Sequence, residues 1–485
     1  MRIRKIGLIL LCCSMLFLSD AIGLSAQMAS PRNQAAVNAV LLSDVHLDPF
    51  LDPSKVERLQ ASPIGQWDAI LSEPNAPDAA ERNAAVQKAC GARGLDSSYA
   101  LMTSTLAAAK AQAAGARFVM VGGDMLVHQF DCHFKTILPG KTAADEAEFA
   151  ARTANFVMAS IDKTFPGIPI YSALGNNDVG CGNTKLNVRD PFLTGTVDAV
   201  LHGLRGARPA ELRQARLDYT EAGYYTLRMG GAMRGTRLIV IDDTYLLEKH
   251  YDCTGAKEFK GGEEQLAFLT RELDRAKRRG EHVWVLGHAA PGVNTFDTFS
   301  KLKNMCTDGQ LTQFLRDDSL AKVMQRYPAQ IRLGLFAHSH MDELRLLPAA
   351  GGGVPVKILS SISPVNGNLP AFVTAKVNPR TATLVDYTLY TGSNVTGAAE
   401  DWTRAYRFGE SFHEPDFSAR SLAELVGRLQ ADPAAESPES QALVKFYGPG
   451  ITPSPLETIW PAFACLVNHY DEAGFKACFC KAEKP

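Results

Sequence analysis

Along this chain, apolar and polar positions fall into blocks of two kinds. Short, mainly apolar runs of strand length occur at 37–42, 117–121, 168–173, 237–241, 283–286 and 331–336. Between them lie longer stretches with apolar positions at helical spacing, at 98–114, 143–165, 263–279 and 311–326. A mainly apolar run predicts a strand covered on both faces, and strands separated by helices predict a layered α/β fold with parallel strands. After residue 340 the pattern changes. The segments 343–347, 356–359, 372–377 and 383–390 read as strands joined by short turns. Three stretches interrupt the scheme: 52–96 is polar and contains proline, 185–222 is basic and loop-like, and 396–455 carries helical patches at 422–429 and 441–447 among Pro, Ser and Gly. These features predict a catalytic α/β unit over 36–392 with insertions near 52–96 and 185–222, followed by a mainly helical, cysteine-containing extension over 393–485.

The beginning of the chain has a different character. Arg2, Arg4 and Lys5 precede an apolar stretch, 6–18, that is too short to span a bilayer, and a small-residue segment ends near Ala26. Residues 1–26 therefore read as an export signal, which predicts a secreted or periplasmic protein. Cysteine usage agrees. Beyond Cys12 and Cys13 eight remain: Cys90, Cys132, Cys181, Cys253, Cys306, Cys465, Cys478 and Cys480. An even set in an exported chain predicts disulfides, but eight cysteines allow 105 pairings and the sequence selects none of them. Without a paired C-x-x-C spacing, a zinc knuckle is not indicated. Composition is that of a globular protein, 46% hydrophobic and 21% charged, with a formal net charge of -2. Such a balance provides no global field for nucleic acid or an anionic membrane surface.

Five short motifs each follow a predicted strand. They are Asp44-Val45-His46, Gly122-Gly123-Asp124, Gly175-Asn176-Asn177-Asp178, Gly287-His288 and His338-Ser339-His340. Ligands of α/β sheets bind beyond the carboxyl ends of the strands, so the five loops are placed to converge. Carboxylate, imidazole and amide oxygen together suit divalent ions such as Zn, with Mn or Fe as alternatives. One Asp can bridge two such ions, which lower the pKa of a shared water and clamp both the attacking and the leaving oxygen of a phosphoryl group. Each motif alone is weak; the ordered set is the signal.

That set resembles the calcineurin-like metallophosphoesterase superfamily over roughly residues 36–392. The resemblance implies a four-layer αββα sandwich holding two divalent metal ions. Asp44, His46 and His340 would hold the first, Asn176, His288 and His338 the second, and Asp124 would bridge them. The segments Ser43–Phe50, Gly287–Gly292, Met341–Leu344 and Ser363–Phe372 resemble the acid sphingomyelinase and endopolyphosphatase branch. Two positions depart from the superfamily pattern. Ala337 stands where Gly is usual, and Asn177 stands where the superfamily carries a His that assists the leaving group. His128, four residues after Asp124, matches a His of the sphingomyelinase branch and is the candidate general acid. His133 is a weaker candidate for that role, and Asn177 a candidate donor to a phosphoryl oxygen. Asp243 and Tyr245 follow a predicted strand and are placed to approach the site. The expected activity is hydrolysis of a phosphodiester, sphingomyelinase-like, by a metal-bridging hydroxide. The expected partner is a small phosphate ester or phospholipid head group, with no nucleic acid and no stable membrane span. Phosphomonoester or polyphosphate hydrolysis, and metal-dependent binding of a phosphorylated ligand without turnover, remain as alternatives.

Overall fold

Twelve strands carry the architecture of the computed structural model, which describes residues 36–301, 304–307 and 311–480. In chain order they are β1 (Val37–Leu42), β2 (Val119–Val121), β3 (Ile170–Ser172), β4 (Tyr225–Arg228), β5 (Thr236–Val240), β6 (His282–Ala289), β7 (Ile331–Ala337), β8 (Glu343–Ala349), β9 (Gly352–Ile358), β10 (Ala371–Asn378), β11 (Thr383–Gly392) and β12 (Trp402–Arg407). They form two six-stranded sheets, ordered β12-β11-β10-β1-β2-β3 and β4-β5-β6-β7-β9-β8. Parallel pairing joins β1, β2 and β3 in one sheet, and β5, β6, β7 and β9 in the other. All of these parallel strands except β9 coincide with the mainly apolar runs of the sequence, as burial on both faces demands.

Alternation within the second sheet shows how the layers stack. Leu238, Val240, Trp284, Leu286, Leu333 and Leu335 share a core with Val40 and Leu42 of the first sheet. Their neighbours Ile239, Val283, Val285, Phe336 and Val356 face the other way, onto the helices Lys260–Arg279 and Ser319–Gln325 through Phe268, Leu273, Leu320 and Met324. Trp284 lies fully buried between the sheets, with its indole N–H donating to the Ala382 carbonyl at 2.7 Å. The helices Tyr99–Gln112 and Ala143–Thr164 add Leu101, Met102, Phe149 and Val157 to the first-sheet core. The result is the expected αββα sandwich. Among the described residues, no helix is long and apolar enough to cross a membrane.

Several elements differ from expectation. The stretch 185–222, expected as loop, contains the helices Pro191–Gly203 and Pro209–Ala222, each opening on a proline that suits the first helical turn. Asp190 caps the first of them by accepting from the Phe192 N–H at 2.9 Å. The expected helix over 311–326 is confined to Ser319–Gln325; upstream, Leu315 bridges to Leu247 and Gln313 to Val293 in extended form. Strands β4 and β12 were not anticipated. Beyond 393, Trp402–Arg407 pairs with β11 as the edge of the first sheet, and the helices Ala419–Gln430 and Pro438–Phe446 follow. The expected signal over residues 1–26 lies outside the described residues.

Candidate metal centre

The loops after β1 and β2 run side by side. Asp44 N–H donates to the Gly123 carbonyl at 3.0 Å, His46 N–H to that of Asp124 at 2.9 Å, and Leu47 N–H to that of Met125 at 2.9 Å. Asp178 fastens the third loop to the second. Its carboxylate accepts from the N–H groups of Met125 (2.7 Å), Leu126 (3.2 Å) and Gly175 (3.0 Å). The packing is close enough that a Cβ on Gly175 would sit 2.2 Å from Asp124 Oδ1, and one on Gly123, at φ 92°, would meet the Gly175 nitrogen at 2.6 Å. Asp243 fixes the fourth loop by accepting from the His288 and Ala289 N–H groups, both at 2.9 Å. Tyr245 turns away instead, its hydroxyl donating to the Asn187 carbonyl at 2.9 Å.

Together these loops bring the seven predicted metal-site residues to one place. Asp124 Oδ2 lies 3.4 Å from His46 Nε2 and 3.2 Å from His288 Nε2. Asp44 Oδ1 lies 3.8 Å from His46 Nε2, 3.5 Å from His340 Nε2 and 4.0 Å from His288 Nε2. His338 Nδ1 is 3.2 Å from His288 Nε2. Donor atoms of Asp44, His46 and Asp124, and of Asp124, His288 and His338, lie mutually within 4.8 Å. Five of the seven residues (Asp44, His46, Asp124, His338 and His340) have φ between 43° and 73°, a region that side-chain-bearing residues seldom adopt. Strain of this kind is held by surrounding structure and collects at working sites.

The donors are also poised to coordinate. His46 Nδ1 donates to the Leu126 carbonyl and His288 Nδ1 to the Gly122 carbonyl, each at 2.7 Å. This fixes the tautomer that leaves Nε2 as a lone-pair donor, the usual arrangement of a metal-binding histidine. Asn176 Nδ2 donates to Asn183 Oδ1 at 2.8 Å, which orients its Oδ1; that oxygen, both Asp44 oxygens and His46 Nε2 are buried without a hydrogen-bond partner. Orphaned buried polar atoms are costly, and a cluster of pure lone-pair donors fits cations. The residues therefore fit a pair of divalent ions. Burial pushes the His46 ring down, but Asp124, Asp96 and Asp44 outweigh it and raise the ring to about 9, so the carboxylates draw positive charge, a proton or an ion, to this place. Burial pushes the Asp124 carboxyl up, but His288 and His46 outweigh it and hold the group well below the usual carboxylate range. Burial, with His288 adding to it, pushes His338 down to about 4.

His128 lies beside this cluster, its ring stacked on His46 at 4.0 Å between centroids. At 24% exposure it is open to a ligand, while the metal-site residues other than the half-buried His338 are nearly sealed. Its Nδ1 contacts Asp96 Oδ2 at 2.9 Å, its backbone N–H donates to the same oxygen at 3.0 Å, and the Ser363 hydroxyl donates to Asp96 Oδ1 at 2.6 Å. Asp96 was not singled out in the sequence. It closes a stretch read as an insertion, and no motif marks it. His133, by contrast, is 1% exposed and packs edge-on against Phe50 at 5.5 Å. Asn177 donates its N–H to Asp124 Oδ1 and its side-chain amide to Oδ2, both at 2.8 Å. His128, His133, His338, His340, Asp96 and Asn176 line a cleft of about 1010 Å³.

Known proteins similar to the chain carry related chemistry in their names. Acid sphingomyelinase-like phosphodiesterase 3b of Mus musculus is 25% identical, the match covering 81% of this chain and 79% of the relative. The chain is similar to the acid sphingomyelinase-like phosphodiesterases over most of its length. Sphingomyelin phosphodiesterase of Homo sapiens is 23% identical over 58% of this chain and 43% of its own length. Among solved structures, a dimetal phosphatase from Danio rerio aligns with a TM-score of 0.42 and 11% identity, covering 77% of this chain and 100% of that one. No protein-family model matches the chain.

Proposed function

We propose that this chain is an exported, metal-dependent phosphoric ester hydrolase acting on a phosphodiester. The observation that carries the reading is the Asp124 carboxylate, within 3.4 Å of the ring nitrogens of His46 and His288 and beside the cleft that His338 and His340 line. The relatives named for phosphodiesterase activity support the same reaction class. In this reading Asp44, His46 and His340 hold one divalent ion, Asn176, His288 and His338 the other, and Asp124 is shared. With several imidazoles in the set, Zn is the favoured ion, and Mn or Fe are alternatives. When bound, the two ions lower the pKa of a water and neutralise charge on the phosphoryl group.

The chain's own groups supply the rest. Asp96 stays anionic: burial raises its carboxyl, but His128 and His46 outweigh burial and hold it well below the usual range. An anionic Asp96 on Nδ1 orients the His128 ring, leaving Nε2 to give a proton to the departing oxygen. Asn177 replaces the superfamily's His. With both its amide donors on Asp124, it holds that carboxylate in place and leaves proton donation to His128. Export is supported by the disulfides Cys90–Cys132, Cys181–Cys253, Cys306–Cys480 and Cys465–Cys478, which belong to an oxidising compartment. The test is a panel of bis(p-nitrophenyl) phosphate, p-nitrophenyl phosphate, sphingomyelin and polyphosphate, assayed with Zn, Mn and Fe. The parent should turn over a diester fastest and bind about two metal ions per chain, and Asp124→Asn should lose both properties. A chain loaded with two metals that hydrolyses none of the panel would instead be a binding protein for phosphorylated ligands.

A further inference from the structure

Beyond His128 the cleft has a second polar wall that the proposed chemistry does not use. It is made by two segments: Ala92–Gly94, after the helix Ala79–Ala89, and Gln129 with the helix Phe130–Ile137. The disulfide Cys90–Cys132, with Cα atoms 5.7 Å apart, fastens one segment to the other. Three side chains of this wall line the cleft. The exposed Arg93 has no carboxylate in ion-pair reach among the described residues. Gln129 Oε1 is buried without a hydrogen-bond partner, and so are both ring nitrogens of His133, in a residue only 1% exposed. A buried polar atom without a partner carries a desolvation cost that no contact offsets, so such atoms are explained by a group that arrives. Burial drives the His133 pKa down to about 4, so its ring is neutral and offers one N–H and one lone pair.

The position of the wall says which part of a substrate it meets. Hydrolysis breaks the bond from phosphorus to the leaving oxygen, forms one to a water oxygen, and delivers the His128 proton to the departing alcohol. The departing alcohol must therefore lie against His128, in the cleft that Arg93, Gln129 and His133 also line. Phe314, edge-on to His338 at 4.7 Å, belongs to the wall on the His338 side and meets the substituent that stays on phosphorus. We infer that Arg93, Gln129 and His133 form a leaving-group subsite that selects an alcohol bearing hydroxyl groups and a negative charge. The guanidinium pairs with the anion, and the amide oxygen and imidazole exchange hydrogen bonds with the hydroxyls. A leaving alcohol with no polar groups would leave these atoms unpartnered, which is how a polar subsite rejects an apolar one.

This inference rests on the phosphoesterase reading, and its test separates the two. Methyl 4-nitrophenyl phosphate and its 3-carboxy derivative differ in their leaving phenols chiefly by one carboxylate. The ratio of their kcat/KM values should favour the carboxylated ester in the parent. It should fall about tenfold in Arg93→Ala and recover in part in Arg93→Lys, as expected for loss of one charge-assisted contact. A ratio unchanged in Arg93→Ala overturns the subsite. If the metal-loaded parent turns over neither ester, the phosphoesterase reading fails, and the subsite is then read by titrating 3-carboxy-4-nitrophenol onto the protein. Weaker binding to Arg93→Ala keeps the subsite, and equal binding to parent and variant removes it.

Discussion

A histidine that protonates a leaving oxygen needs a partner that stays charged, and Asp96 meets that need at His128. If His128 is the acid, its value depends on how badly the leaving group needs a proton. His128→Ala should slow diesters of alkyl alcohols by about two orders of magnitude or more, and those of nitrophenol far less. Equal losses for the two classes, measured as kcat, would remove the role. A second residue makes a pH-dependent claim. Burial raises the Asp48 carboxyl to about 7, only partly offset by the bond from the Phe50 N–H. Because its folded pKa lies above the unfolded value near 4, the folded chain binds this proton more tightly. Its contribution is then fully favourable below about pH 4 and is lost as pH rises toward 7. Asp48→Asn should accordingly narrow the stability difference between pH 4.5 and 7.5 by about 3 kcal/mol in chelated protein, read from urea melts. An identical pH profile would discard the assignment. At this scale the sequence was legible where chemistry sits in compact motifs: Asp44, His46, Asp124, Asn176, His288, His338 and His340 all come within one cluster or line one cleft. Asp96 was not legible, because it reaches His128 across 32 residues through a fold and not through a spacing.

Elements supply the rigidity that these residues need. The motif glycines are steric requirements, since the space a Gly175 side chain would fill is taken by the Asp124 carboxylate at 2.2 Å. Gly175→Ala should displace Asp124 and weaken metal binding by about tenfold or more, as loss of supporting structure around a ligand does. Gly140→Ala, where a Cβ meets nothing within 4 Å, is the matched control. Calorimetric titration of both variants checks this, and equal affinities would show that the loop yields without harm. The same elements explain which parts of the fold could be read from sequence. Strands buried on both faces, such as Val37–Leu42 and Ile331–Ala337, have apolar runs that no other structure explains as well. The helix Pro191–Gly203 escaped because its start lies in an Asp-Pro cap inside a basic, glycine-bearing stretch that resembles loop. Strand β12 escaped because, as a sheet edge, it keeps Thr403 and Arg404 exposed and shows no apolar run.

At the scale of the whole molecule, the site exists only because the two sheets meet. Asp44, Asp124 and Asn176 follow strands of the first sheet, whereas His288, His338 and His340 follow strands of the second. The four disulfides are properties of that assembly too. Cys306 and Cys480 are 174 residues apart in sequence and joined in space, a pairing that no spacing rule selects. Because both sheets contribute donors, the proposed ion binding would be coupled to folding. The folded chain without ions concentrates two buried carboxylates, lone-pair-bearing nitrogens and five residues of left-handed backbone in one place. An unfolded chain can present no such set, so ions bind the native state in preference and stabilise it by mass action. Ions at about one hundred times their dissociation constant contribute about 2.7 kcal/mol per site, enough to raise Tm by about 5 °C for a chain of this size when both sites fill. Thermal melts with Zn and with a chelator should show that separation in the parent, and Asp124→Asn, lacking the shared carboxylate, should show little of it. If parent and variant melted with the same dependence on the ion, the stabilising metal would be bound elsewhere, and the sheets would be holding this cluster together for some other purpose.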